Sequence, residues 1–445
     1  MSRTTFLLFA LMAVACERPR FVPDGGRDDG GSDAGTDAAR PAGQMPPTGY
    51  SVVVEQPTNL GASNRIGASV AMVLDQNEQP FVAYVHEDPN GDGIAIDTCV
   101  ELTRWNGVDK AWEAPRTVDV VGQIDTSHPH RQVAIARDSV TGVLAVAYLA
   151  SATQVNLALS DDEGENWSIE TASAPGNETL NDPVLALYGG EVHLAYHQAN
   201  QRCTGAQCGA VLYRSRLASG AFSSATAVPL LAGTDANPAK PIAMALDADG
   251  KPGLAYFLET TASPTVTLAF WRPGTATAGK VVDSEGQVDI DGSVSLTFRG
   301  NTPHLAYHLA GSDPAAQLRY SAGLDVQGLS FAAPVAIPRN GAVSAPEGTR
   351  WYQSIDLDAN GRVAIVASFE SATQPAQQCG GPKLARSTDG TTFTVCSPDG
   401  GRFFGYAGKW ATLYFDRANK LNLVFLYEQR ANPQIKPGVL LWREP

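Results

Sequence analysis

Oxygen-bearing side chains alternate in one loop that follows an apolar segment. Asp88, Asn90 and Asp92 precede a glycine, and Asp97 lies later in the same loop. Alternate oxygen donors can converge on a hard cation, and the glycine permits the sharp turn that this requires. The spacing predicts a Ca²⁺ site formed by these four residues, although the twelfth position, where a calcium loop carries Glu, is Cys99. Asp/Asn/Gly turns that hold no metal are the alternative.

Arginine, histidine and aromatic residues are concentrated in three other loops. Guanidinium groups bind carboxylates in a bidentate manner, and aromatic residues line many small-molecule sites, so these loops suit a carboxylate or sugar ligand. The candidate ligand-binding residues are His128, His130, Arg131, Arg350, Trp351 and Tyr406. The alternative is that they are exposed loop residues that share no pocket.

The first 16 residues have the pattern of an export signal. Arg3 precedes an apolar run at 6–15, and Cys16 follows Ala13-Val-Ala15. A positive start and about ten apolar residues are typical of a secretory signal, which is too short to cross a bilayer. Small residues directly before a cysteine resemble a bacterial lipobox, which implies that Cys16 is lipidated. An ordinary signal peptide cut after Ala15 is the alternative.

Residues 17–49 contain almost no side chains that could build a core. Such Asp/Gly/Pro-rich segments cannot offset the entropy of ordering, so we predict a disordered tether with a mean reach of about 30 Å. The folded region is then 50–445. We therefore expect a lipoprotein held to a membrane by its N-terminal lipid, at the outer membrane or cell surface, facing outward or toward the periplasm.

The remaining cysteines suggest disulfides, because export favours them. Cys203 and Cys208 bracket four residues of one loop, and Cys379 and Cys396 flank a hairpin. We expect each of these two pairs to form a bond, which leaves Cys99 unpaired. Zinc is disfavoured because no C-x-x-C pair occurs.

From residue 67 onward, an apolar hairpin recurs seven times, roughly 50–60 residues apart. The copies end at Tyr84, Tyr148, Tyr196, Tyr256, Tyr307, Ser368 and Phe425. Alternating apolar residues predict half-buried strands, and the Asp-Gly, Gly-Gly and Asn-Gly centres predict tight turns. A second hairpin follows each copy. Four strands per repeat is typical of a propeller blade.

The chain ends complement each other. The last repeat has only a third strand, at 438–442, and an extra strand at 50–55 precedes the first repeat. We therefore predict an all-β, seven-bladed β-propeller of four-stranded blades whose ring is closed by the N-terminal strand, leaving no open edge. Two packed β-sandwiches are the alternative.

One turn resembles a known family motif. Ser160, Asp162, Gly164 and Trp167 match S-x-D-x-G-x-x-W, which resembles the Asp-box (BNR repeat) of sialidase-like propellers. A shorter second copy lies at 387–393. In this motif the aspartate can accept backbone amides of its own turn, the glycine can adopt a left-handed conformation and the tryptophan can pack between strands. In that family the box lies opposite the active face, so the resemblance implies fold and not activity.

These patterns predict a binding module for an unknown protein or carbohydrate ligand; the alternative is a sialidase-like glycoside hydrolase. Sialidases bind the substrate carboxylate with three arginines and use a tyrosine nucleophile assisted by a glutamate. Arg350 and Tyr406 lie in suitable loops, but no Tyr/Glu pair can be assigned and seven repeats exceed the six blades of that family. We therefore assign no catalytic residues. A net charge of −14 argues against a nucleic-acid partner. We expect a monomer with no cofactor other than Ca²⁺.

Overall fold

A computed structural model describes residues 50–55, 66–87, 98–109, 111–121, 131–199, 209–217, 220–231, 234–236, 242–260, 266–275, 277, 279–280, 294–308, 318–337, 353–368, 382–396, 406–428 and 438–444. These residues form strands and turns, and no helix occurs among them. Accordingly, no membrane-spanning helix is found in the part of the chain that is described.

The strands form seven blades, each a meander of antiparallel strands. Strand β1 (Tyr50–Glu55) comes first in the chain but belongs to the last blade. Blade 1 contains β2 (Ile66–Leu74), β3 (Pro80–Glu87), β4 (Thr98–Asn106), β5 (Ala111–Trp112) and β6 (Arg116–Val121). Blade 2 contains β7 (Val133–Arg137), β8 (Leu144–Ser151), β9 (Gln154–Ser160) and β10 (Ser168–Thr171). Blade 3 contains β11 (Thr179–Tyr188), β12 (Glu191–Ala199), β13 (Gly209–Arg216) and β14 (Thr226–Ala227).

A short strand, β15 (Thr234–Ala236), joins blades 3 and 4 by pairing with a strand of each. Blade 4 contains β16 (Ala243–Leu246), β17 (Pro252–Thr260), β18 (Val266–Trp271) and β19 (Gly279–Lys280). Blade 5 contains β20 (Val294–Arg299), β21 (Thr302–His308), β22 (Leu318–Ala322) and β23 (Val335–Ala336). Blade 6 contains β24 (Gln353–Leu357), β25 (Val363–Ser368), β26 (Pro382–Ser387) and β27 (Thr394–Cys396). Blade 7 contains β28 (Tyr406–Phe415), β29 (Leu421–Glu428) and β30 (Gly438–Arg443).

The N-terminal strand completes the seventh blade. β1 pairs antiparallel with β30, from Tyr50 opposite Trp442 to Glu55 opposite Gly438. The two chain ends thus share one sheet, and the ring has no open edge at this point. The predicted fold class, including this closure, is confirmed.

A tyrosine within the second strand of five repeats packs against the preceding blade. These side chains, at Tyr84, Tyr148, Tyr196, Tyr256 and Tyr307, are fully buried. The Tyr148 hydroxyl donates to Asp119 Oδ2 at 2.6 Å, and that of Tyr256 donates to the Pro229 carbonyl at 2.6 Å. The Tyr196 hydroxyl accepts the Ala174 amide at 2.8 Å. This repeated residue therefore holds adjacent blades together.

The ring has two distinct ends. The innermost strands begin at one, here named the mouth end, and their hairpins close at the other, the turn end. Five of those hairpins open with an aspartate whose carboxylate accepts amides of its own turn. These residues are Asp75, Asp138, Asp247, Asp358 and Asp416. Asp138 also accepts the amides of Gly189 and Gly190 in the next blade, at 3.1 and 2.6 Å. Its carboxylate thereby fixes the spacing of blades 2 and 3.

Candidate functional site

The innermost strands of all seven blades surround an axial cavity of about 350 Å³. Their free edges face this channel, so its wall contains backbone amides that no neighbouring strand can satisfy. Side chains of adjacent blades fill this role. Ser69 Oγ accepts the Val133 amide at 3.3 Å, and Ser354 Oγ accepts the Leu413 amide at 3.2 Å.

One level of the channel wall is divided into an apolar and a polar side. Each blade has one residue at this level. In each innermost strand it is the residue paired with the position three before the repeated tyrosine or its counterpart in the second strand. Blades 1 to 4 contribute Val73, Ala136, Ala186 and Ala245. Blades 5 to 7 contribute Thr297, Asp356 and Tyr414. Among these seven residues, the groups capable of acid–base chemistry therefore lie in one sector of the ring.

Asp356 is the central group of the polar side. Its Oδ2 accepts the Phe415 amide of blade 7 at 2.8 Å, and its Oδ1 accepts the Leu357 amide at 2.9 Å. The Thr297 hydroxyl lies 3.4 Å from Oδ1. Burial outweighs these hydrogen bonds and raises the pKa of Asp356 to about 6. The carboxyl group therefore exchanges its proton near neutral pH, as a general acid does.

Tyr414 lies beside this carboxyl group in the next blade. Burial, together with the negative charge of Asp356, raises the pKa of its phenol to about 12, while the positive charge of Arg131 acts in the opposite direction. Tyr414 is thus a neutral hydrogen-bonding group at physiological pH.

Arg131 approaches the channel from the mouth end, where it precedes β7. Its backbone amide donates to Asp182 Oδ1 at 2.6 Å, and its guanidinium Nη1 donates to the Ile242 carbonyl of blade 4 at 3.3 Å. Asp182 is fully buried and has a φ of 51°, within a bulge of β11. A non-glycine residue in this conformation is held there by its surroundings. The bulge therefore fixes the position of Arg131 at the channel wall.

Arg131 is the sequence-predicted binding residue that the structure places against the cavity. His128, His130, Arg350 and Trp351 lie outside the described residues. Tyr406 opens β28, and only its backbone is described. The predicted calcium ligands Asp88, Asn90, Asp92 and Asp97 also lie outside, as does Cys16. Within the described ranges, no three His, Cys, Asp or Glu side chains are grouped closely enough to hold a metal ion.

The Asp-box residues form a compact turn at the turn end. Ser160 Oγ accepts the Gly164 amide at 2.8 Å and contacts Asp162 Oδ1 at 2.7 Å. Asp162 accepts the Asn166 amide at 2.9 Å, and Gly164 has a φ of 85°. Trp167 packs against the core between blades 1 and 2. These contacts stabilise the turn, and the four Asp-box residues do not line the axial channel.

The shorter copy of this motif adopts the same arrangement. Ser387 Oγ accepts the Gly390 amide at 2.9 Å, and Asp389 Oδ1 accepts the amides of Thr391 and Thr392, both at 2.8 Å. Phe393 takes the place of the tryptophan and is buried. With one residue fewer in the loop, the serine still accepts the glycine amide, but Asp389 accepts two backbone amides where Asp162 accepts the backbone and side-chain amides of Asn166.

Cys99 is buried in β4 and takes part in a disulfide bond. The expectation that Cys99 is unpaired is therefore wrong, because spacing along the chain does not show which cysteines meet in a closed ring. Cys203, Cys208 and Cys379 lie outside the described residues, and only the backbone of Cys396 is described. The partner of Cys99 must be one of the other five cysteines, so the two proposed pairings and the lipidation of Cys16 cannot all hold, and which of these predictions fails is not tested by the described residues.

Asp356 and Tyr414 were missed in the sequence, although a signal for them exists. Aligning the repeats on the hairpin turn puts each at a position where blades 1 to 4 carry Val or Ala. A carboxyl or phenol group at a position that is otherwise apolar marks a departure from the repeat. Such departures are candidate functional sites.

Comparison with protein-family models gives no match, and comparison with curated proteins gives none either. Solved structures do resemble this chain. An α-L-arabinofuranosidase variant from Fusarium graminearum, in complex with an iminosugar inhibitor, has a TM-score of 0.50 at 10% identity, over 90% of this chain and 98% of that chain. An α-L-arabinanase from Penicillium chrysogenum has a TM-score of 0.47 at 13% identity, over 89% and 98%. A Hadza microbial sialidase has a TM-score of 0.43 at 11% identity, over 78% and 73%.

Identities this low indicate shared architecture alone. Taken with the seven blades described above, the likeness to the arabinofuranosidase is one of β-propeller fold. The chain is a β-propeller with a mixed polar and apolar axial channel.

Proposed function

We propose that this protein is a glycoside hydrolase of the sialidase-like propeller type and that the axial channel holds its active site. The observation that carries the proposal is the carboxyl group of Asp356, whose pKa of about 6 lets it donate a proton near neutral pH. The arabinofuranosidase of similar fold suggests glycosides as the substrate class to test.

In this reaction, Asp356 acts as the general acid. Water attacks the anomeric carbon, the bond from that carbon to the leaving oxygen breaks, and the leaving oxygen takes the proton of Asp356. The proton lost by the attacking water restores the acid. Arg131 binds a carboxylate of the sugar, since guanidinium groups pair well with carboxylates. Tyr414 is a neutral hydrogen-bond donor and not a nucleophile, because its pKa is raised to about 12.

The test is a panel of fluorogenic glycosides that includes an α-L-arabinofuranoside and an α-sialoside. Replacing a general acid lowers the rate by about 10²–10⁴-fold, so Asp356→Asn should lose at least about 100-fold in kcat/KM. The matched control Asp161→Asn removes an exposed carboxylate at the turn end and should leave turnover unchanged. Turnover that survives in Asp356→Asn, or no turnover of any glycoside by the wild type, would contradict the proposal.

A binding module for carbohydrate or protein is the second candidate. Both oxygens of Asp356 accept backbone amides, as those of a purely structural carboxylate would. If Asp356 is structural, the channel lacks its general acid, and a binding site without catalysis is favoured. This alternative predicts no turnover but saturable binding of sialyllactose or arabinobiose in calorimetry. Arg131→Ala should then weaken binding at least about tenfold, as expected for the loss of a charge-assisted hydrogen bond.

Export and anchoring are proposed from the sequence pattern alone. We expect palmitate to label the wild-type protein in a bacterial host and the label to be lost in Cys16→Ser. Persistent labelling of that variant would refute the anchor. For the proposed Ca²⁺ site, chelator should lower the melting temperature of the wild type but not that of Asp92→Asn, because bound metal stabilises the folded state.

A further inference from the structure

A second cavity lies between blades 2 and 3 at the turn end and shares the lining residue Leu187 with the axial channel. Its volume is about 530 Å³, compared with about 350 Å³ for the channel. Aliphatic side chains of both blades form much of its wall, and Thr141, Ser168 and Arg216 also line it. Two acidic residues line it as well: Asp161, which is exposed, and Asp138, whose carboxylate oxygens accept backbone amides. The aliphatic residues are Val143, Leu159, Leu187 and Val192. An apolar wall with a few polar groups is typical of small-molecule sites.

The same space is filled between blades 4 and 5. Phe298 of blade 5 and Leu187 of blade 3 occupy equivalent positions. Phe298 pairs with Pro303 and Leu187 pairs with Val192, and each partner lies four positions before the tyrosine of its blade. Phe298 packs edge-to-face on Phe270 at 6.2 Å. The cavity between blades 2 and 3 therefore follows from a smaller side chain at a position that carries an aromatic ring two blades further on.

The aromatic pair of blades 4 and 5 is also covered by an arginine. The Arg272 guanidinium lies over the Phe298 ring at 4.7 Å and pairs with Asp247 at 2.7 Å. Asp138, which occupies the place of Asp247 in blade 2, accepts backbone amides instead. No arginine of blade 2 among the described residues closes the cavity in this way.

Arg216 is the positively charged residue among those that line the cavity. This side chain is mostly buried and forms an ion pair with Glu170 through Nη1. Its Nε is buried and has no hydrogen-bond partner among the described residues. A buried donor without an acceptor costs free energy, so this N–H favours any ligand that brings an oxygen acceptor.

We propose that this cavity binds a small amphipathic carboxylate, with an aliphatic or aromatic body against the leucine and valine wall and its carboxylate on Arg216. Leu187 lines both this cavity and the axial channel, but the proposed binding does not depend on hydrolytic activity. An uncharged molecule of the same size would gain the apolar contacts but lack the charge-assisted hydrogen bond.

The test measures binding of hexanoate and of hexan-1-ol to the full chain by calorimetry. We expect hexanoate to bind saturably and at least about tenfold more tightly than hexan-1-ol. Leu187→Phe copies the blade 4–5 arrangement and should reduce hexanoate affinity at least tenfold. The matched control Leu217→Phe adds the same ring at a position 68% exposed and should bind normally.

A second variant separates anion recognition from cavity volume. Arg216→Met should lower the affinity for hexanoate at least tenfold and leave that for hexan-1-ol unchanged. Thermal unfolding of each variant verifies that it is folded. Absence of saturable hexanoate binding to the wild type, or equal binding to the wild type and Leu187→Phe, would overturn the proposal.

Discussion

The two sides of the axial channel have the same backbone but different chemistry. At one level, blades 1 to 4 present Val73, Ala136, Ala186 and Ala245, whereas blades 5 to 7 present Thr297, Asp356 and Tyr414. The strand register is equivalent on both sides, so the fold tolerates either kind of residue there. The repeat therefore specifies the ring, and departures from the repeat supply the groups that can react.

Placing a carboxylate on the apolar side tests the difference between the two sides most directly. Ala136 is buried against blade 3 and has no hydroxyl neighbour equivalent to Thr297. We expect Ala136→Asp to lower the free energy of unfolding by about 3 kcal/mol at pH 8, since an uncompensated buried charge is costly. Denaturant unfolding checks this value.

The matched control is Ala136→Asn, which has nearly the same shape and no charge. The cost of the aspartate should exceed that of the asparagine at pH 8, and the difference should shrink as the pH falls and the new carboxyl group is protonated. Equal costs for the two variants at pH 8 would mean that the two sides of the channel do not differ electrostatically.

Removing the carboxylate from the polar side should have an effect of similar size and opposite sign. The pKa of Asp356 is about 6 in the folded protein and 3.8 as its ordinary value, so the folded state binds this proton more tightly than the unfolded state. Stability contributed by this group is therefore lost as the pH rises from about 4 to about 6. Asp356→Asn should be more stable than the wild type by about 3 kcal/mol above pH 7.

This gain should vanish below about pH 4, where the wild-type carboxyl group is protonated in both states. Urea unfolding of both proteins at pH 4, 5, 6, 7 and 8 gives the profile. A difference that is constant over this range would show that the backbone amides of Leu357 and Phe415 stabilise the ionised form as well as water does. Asp356 would then be a structural residue.

The ring was predictable from the sequence because its signals are repeated. Tyr148 and its counterparts recur with one hairpin, and the complementary end strands predict closure. In repeat 6 the register puts Ala367 at the tyrosine position, opposite Gln353, where the sequence suggested Ser368. The turn of that repeat has the same length as the turns of blades 1, 4 and 7, so the position of the tyrosine falls on Ala367.

The polar side of the channel was not predictable in the same way. Asp356 and Tyr414 lie in the two least regular repeats, where the alignment that would show them as departures from the repeat is hardest to make. Burial also determines their chemistry, because the raised pKa of Asp356 reflects a surrounding that only the closed ring creates. A repeat pattern specifies neighbours within a blade better than it specifies the groups that meet across the axis.

The smallest expected effect is on the pKa of Tyr414, which responds to both Asp356 and Arg131. Asp356 raises its pKa and Arg131 lowers it. Asp356→Asn should therefore lower the pKa of Tyr414, and Arg131→Ala should raise it, each by less than about one pH unit. The phenol carbon signal in an alkaline NMR titration, assigned with Tyr414→Phe, measures the midpoint. If the two variants shift the pKa of Tyr414 in opposite directions, the carboxylate of Asp356 and the guanidinium of Arg131 act on the same cavity. A shift in Asp356→Asn alone would confine the polar side to blades 6 and 7 and remove Arg131 from the proposed site.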